Sequence, residues 1–163
     1  MTVRELFVKQ WKQEEPKFGK VLRALPSDQL SYRPHERSPS AAELAWQLAV
    51  EQRVLNDMLD SGAVRWSMQR SPHPSTLDDI VAEWDRETDA LRAKIEALDD
   101  GKWMGNVVFY IDGNEGGHGS VEDYMWGFLH DMIHHRGQLT TYIRPMGGKV
   151  PGIYGPSGDE MPA

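Results

Sequence analysis

Four times along the chain a Ser or Thr is followed three residues later by an acid and then by an apolar stripe. The pairs are Thr2 with Glu5, Ser40 with Glu43, Thr76 with Asp79, and Ser120 with Asp123. In this pattern the hydroxyl accepts from a free amide of the first helical turn, and the acid accepts from the cap residue's own N–H. Four such starts predict four helices. The first stripe runs through Phe7, Trp11, Phe18, Val21 and Leu22, with Pro16 expected to kink or split it. The second carries Leu44, Leu48, Leu55 and Met58 and should stop near Ser61 and Gly62. The third carries Ile80, Trp84, Leu91 and Ile95 under a charged outer face, and the fourth runs from Ser120 to about Met146, before Gly147 and Gly148.

Between these helices lie long, Pro-bounded connections, so an all-α four-helix bundle with crossover connections is expected over residues 1–163 as a single domain. One connection differs in texture. WMGNVVFYIDGNEGGHGS, ending at Ser120, joins a β-branched and aromatic run to an Asp112-Gly113 turn signal, which predicts a short extended or hairpin-like excursion before the last helix. The Gly- and Pro-rich tail after Gly148 is expected to lie over the surface.

Composition removes several function classes. A net charge of -7 with scattered basic residues argues against a nucleic-acid surface. The absence of cysteine excludes disulfides, thiolate-bound zinc and a protein thiol nucleophile, so any thiol chemistry must borrow its sulfur from a small molecule. No segment has the apolar length of a signal core or a membrane span, which makes a cytoplasmic location the expectation.

His130 and His134 sit one turn apart in the last helix, flanked by Phe128, Leu129, Met132 and Ile133, and Gln138 continues the line. Two imidazoles on one helical face can converge on a transition metal; they can also be structural histidines bonded to nearby carbonyls or carboxylates. A metal would need a third ligand from another helix. Gln47 is the one polar residue within Leu44–Val50, so its buried amide needs a partner, as a ligand or as a hydrogen-bonded structural contact. Glu51, one turn further on the same face, is the chemically better ligand if it can reach. Asp131 and His135 lie on a different face and read as a helix ion pair. His118 could close over a site from its loop, whereas His35 and His73 fall in linkers. Arg136 and Arg144 could hold a substrate carboxylate, with ion pairing as the alternative. No nucleotide loop, GxSxG elbow or HExxH motif is present.

The segment HDMIHHRGQLTTYIRPMGGKVPGIYGPSGDE, from His130 to Glu160, and the weaker RPHERSPSAAELAWQLA, from Arg33 to Ala49, resemble the DinB-like (YfiT-like) family of metal-dependent four-helix bundles. The resemblance implies an up-down-down-up bundle, commonly a homodimer, with nickel or zinc held by three histidines. Two of these map onto His130 and His134, and the third falls at Gln47, where this chain departs from the family pattern. Some related bundles are similar to S-transferases or isomerases that use a low-molecular-weight thiol. The expected function is therefore metal-dependent thiol S-transfer or hydrolysis on a small molecule, with a non-catalytic bundle that binds a small molecule or a partner in a degenerate metal pocket as the alternative.

Overall fold

The computed structural model describes residues 1–161. Four long helices form where the caps place them: α1 (Val3–Leu22), α2 (Ala41–Ser61), α3 (Leu77–Ala97) and, after a short α4 (Asp100–Trp103), α5 (Val121–Ile143). Thr2, Ser40 and Ser120 make complete capping boxes; Thr76 accepts from the Asp79 amide. Gly62 ends α2 in the left-handed region, at φ 69°, where a side chain would be strained. Pro16 lies inside α1 and does not split it. Both Pro16 and Lys12, whose carbonyl loses its amide partner, face solvent, so water can satisfy the carbonyl.

α1 packs against α3 and α5, and α2 against the same two. Consecutive helices α1 and α2 are therefore diagonal in the bundle, as are α3 and α5, which is what the long connections provide. Phe7, Trp11, Phe18, Leu48, Leu55, Trp84, Leu91 and Leu139 fill a single apolar core. No helix among the described residues is long and apolar enough to cross a membrane.

The fold is not all-α. A three-stranded sheet adjoins the bundle, with strands in the order β1 (Ala63–Trp66), β2 (Asn106–Ile111) and β3 (Asn114–Ser120). β2 and β3 are the expected hairpin, turning at Asp112 (φ 48°) and Gly113 (φ 83°), the positive angles a tight two-residue hairpin turn requires. β1 was not expected. It follows α2 directly and pairs in parallel with β2, Ala63 opposite Val108 and Trp66 opposite Ile111. Val64 is fully buried and Val107 likewise, so the sheet closes over one end of the core.

The tail is tied down by one buried ion pair. Arg136 of α5, 2% exposed, donates to Glu14 of α1 at 2.7 Å and to the Tyr154 hydroxyl at 2.5 Å, while that hydroxyl donates to Glu14 at 2.7 Å. Burial raises the Glu14 carboxyl, but Lys17, Tyr154 and Arg136 outweigh it and hold the carboxyl below its ordinary range. Arg144 is engaged with Asp159 at 2.9 Å. Both arginines thus serve the fold. Arg136→Met should lower unfolding free energy by about 1–2 kcal/mol, because the buried Glu14 carboxylate then keeps Lys17 and Tyr154 but loses one of its two cations. Urea denaturation of the two proteins checks this.

Candidate metal centre

Glu51 is the most heavily buried acid near the last helix, with a side chain 0% exposed on the face of α2 that meets α5. It sits there because it follows Leu44 and Leu48 on the inward stripe of α2. One carboxyl oxygen, Oε1, accepts from Gln47 Nε2 at 2.9 Å, one turn back. The other, Oε2, is buried with no hydrogen-bond partner among the described residues. Burial drives the Glu51 carboxyl well above its ordinary range; the Gln47 hydrogen bond opposes the shift and the nearby Asp131 charge adds to it.

Two groups from α5 face this carboxyl. His135 Nε2 lies 3.6 Å from Glu51 Oε1 and 3.5 Å from Asp131 Oδ2. Ligand atoms of Glu51, Asp131 and His135 all fall within 4.8 Å of one another, a spacing that one cation can bridge. His135 is oriented for that role. Its Nδ1 lies 2.9 Å from Gln138 Oε1, a contact that holds the ring with Nε2 toward the two carboxyls; with the proton on Nδ1, the Nε2 lone pair is available to a cation. A buried carboxyl with one unpartnered oxygen, grouped with an imidazole and a second carboxylate, fits a divalent cation.

Two depressions flank the cluster. The first, of about 440 Å3, is lined by Trp46, Gln47, His135 and Gln138 on the helices and by Ser67 and Arg70 from the segment after β1. The second, of about 610 Å3, is lined by aromatic side chains together with His130, Asp131 and His134. Trp66 borders both.

Of the residues singled out in the sequence, Gln47 and Glu51 are brought together with His135. His130 and His134 are exposed and line the second depression; the His134 ring lies 5.4 Å from that of His135, and His130 lies against Trp126. Asp131 and His135, read from spacing as a simple helix pair, do pair, but with Glu51 as a third member. His118 is paired with Glu115 on exposed β3, and neither depression includes it. The signal that could have found the cluster was Glu51 itself, an acid on an inward-facing stripe.

A family model described as the DinB family matches residues 1–162. The chain belongs to the DinB family. Uncharacterized protein YrdA of Bacillus subtilis (strain 168) is 23% identical over 154 residues, covering 94% of this chain and 89% of YrdA. Among solved structures, a DinB-like protein from Bacillus cereus ATCC 10987 superimposes with a TM-score of 0.77 at 20% identity, covering 92% of this chain and 97% of that one. The DinB-like protein YjoA of Bacillus subtilis gives a TM-score of 0.70 at 18% identity, covering 91% and 97%. These two likenesses establish the DinB-like fold.

The orphaned oxygen of Glu51 has a stability consequence. In metal-free protein, Glu51→Met should raise unfolding free energy by about 1–3 kcal/mol, since it removes a buried polar group at similar volume. Denaturant unfolding in the presence of a chelator measures it; a marked loss of stability would show that the carboxyl is a structural contact.

Proposed function

We propose that this DinB-family protein is a metal-dependent enzyme acting on a small molecule, with one divalent cation held by Glu51, Asp131 and His135. The observation that carries the reading is the Glu51 carboxyl, fully buried with one oxygen unpartnered, in a cluster where ligand atoms of Glu51, Asp131 and His135 lie within 4.8 Å of one another. One imidazole and two carboxylates form a borderline donor set, compatible with zinc or nickel. Gln47 acts through Glu51, whose carboxyl it orients by donating to Oε1. Gln138 does the same for His135.

A divalent cation there supplies Lewis acidity, which lowers the pKa of a thiol or a water molecule. Transfer of a low-molecular-weight thiol is the reaction we assign, with hydrolysis as its close alternative. The chain has no cysteine of its own, and the first depression offers polar contacts beside the cluster: the Gln47 and Gln138 amides, Ser67 and Arg70. In S-transfer the sulfur bonds to an electrophilic carbon, the bond to the leaving group breaks, and the thiol proton passes to solvent. The reading includes a cytoplasmic homodimer without nucleic-acid or membrane partners, supported by the acidic net charge of -7 and the family resemblance. A non-catalytic binding bundle is the second reading, favoured by Gln47, a weaker ligand, at the position where the family pattern has histidine.

Elemental analysis of protein purified without a histidine tag or chelator tests the site. About one zinc or nickel per chain is expected, lost in Glu51→Gln and His135→Ala, with Gln47→Ala weakening affinity roughly 10- to 100-fold as outer-shell changes do. Gln47→His separates the two readings. A large gain in affinity would mean that the parent site is degenerate, whereas little change means that Glu51 already completes it.

A further inference from the structure

We propose that the second depression binds a planar aromatic molecule and holds it beside Asp131, at the edge of the Glu51, Asp131 and His135 cluster. Its walls are two pairs of rings. Phe109 of β2 and Tyr124 of α5 stack nearly parallel, with an interplanar angle of 5° and centroids 5.8 Å apart. Trp66 of β1 and Phe128 of α5 lie 5.9 Å apart at 58°. Gly127, between Tyr124 and Phe128 in sequence, lines the space between them, and a Cβ added there would meet no atom within 4 Å. The four rings border one open groove, where their faces and edges favour a flat ring system through stacked and edge-to-face contacts.

The polar groups are few and gathered around one helical turn, where His130, Asp131 and His134 line the same groove. An apolar recess of about 610 Å3 with a small convergent set of polar groups has the dimensions and make-up of a small-molecule site. Asp131 makes it continuous with the cluster, because its carboxylate both lines the groove and lies 3.5 Å from His135. The ligand is accordingly an aromatic ring system with a polar or reactive substituent directed at Asp131. A second protein chain suits this groove less well, since the exposed Asp131 carboxylate and two imidazoles would each need a partner across the interface.

The two depressions differ in chemistry and share Trp66 as a common border. Where the metal reading holds, on which this step rests, two unlike molecules reach one centre: a hydrophilic nucleophile beside Gln47 and Gln138, and an aromatic electrophile between Phe109 and Phe128. The small sheet contributes Trp66 and Phe109, so it forms one wall of the aromatic side.

The probe is 2-naphthol, whose hydroxyl can donate to Asp131, titrated calorimetrically into metal-loaded parent protein, Gly127→Leu and Phe109→Ala, with decahydro-2-naphthol as the non-planar control. Leucine at position 127 fills open space on a helix and replaces a poor helix former, so the variant should fold, as circular dichroism will verify. We expect 2-naphthol to bind the parent at least tenfold more tightly than the control does, and to lose at least tenfold in affinity in both variants. Equal affinity in parent and variants, or no binding to the parent, overturns the proposal. So does a parent dimer that Gly127→Leu converts to monomer, because the groove would then be covered by a second copy. Metal content of the same samples separates the two claims. Full metal without naphthol binding defeats the aromatic site alone, and groove-dependent naphthol binding to protein that takes up no metal supports it while defeating the metal centre.

Discussion

A carboxyl group buried between two helices is costly unless something answers its charge, and Glu51 is such a group. It stands on the inward stripe of α2, against α5, with one oxygen satisfied by Gln47 and the other by nothing among the described residues. An apolar side chain there would make a simpler core. The arrangement becomes intelligible once a cation is the partner: Asp131 and His135 come from the neighbouring helix within reach of Glu51, and Gln138 holds the imidazole through Nδ1. Functional residues of this kind are tolerated at a cost to stability that the rest of the fold offsets.

The rest of the fold supports that junction. The diagonal placement of consecutive helices makes α2 and α5 direct neighbours, although a sheet, α3 and two long connections separate them in sequence. Next to His135, Arg136 points the opposite way, into Glu14 and Tyr154, and ties α5 to α1 and to the tail. Adjacent residues of α5 therefore carry different tasks, and the 100° turn between successive helical positions keeps them apart. The sheet adds Trp66 and Phe109 beside the cluster, so the recesses around it belong to strands as well as helices.

Much of this was legible in the residues, and the misses have physical causes. Helix starts were readable because Thr2, Ser40, Thr76 and Ser120 act through bonds three residues long, which local sequence encodes. The Asp112-Gly113 turn was readable for the same reason. β1 was not: Ala63–Trp66 is only 4 residues long, and its pairing is parallel with β2, some 40 residues away, so nothing nearby specifies it. At the centre, spacing correctly placed His130 and His134 on one face but could not say which face. The buried stripe runs through Met125, Leu129, Met132, Arg136 and Leu139, so position 130 lies one residue past it and faces out. His135 lies beside Arg136 at the edge of that stripe, 20% exposed, where it can reach across to α2. Gln47 and Glu51 were recognised on their shared face, whereas the partnership of Glu51 with Asp131 and His135 depends on tertiary contact between α2 and α5.

Anomalous diffraction from crystals of the nickel- or zinc-loaded protein, collected at the metal's absorption edge, addresses the central claim directly. The account predicts a single peak per chain within about 2.0–2.2 Å of a Glu51 oxygen, an Asp131 oxygen and His135 Nε2. A peak on His130 and His134 instead, or none near Glu51, would contradict it.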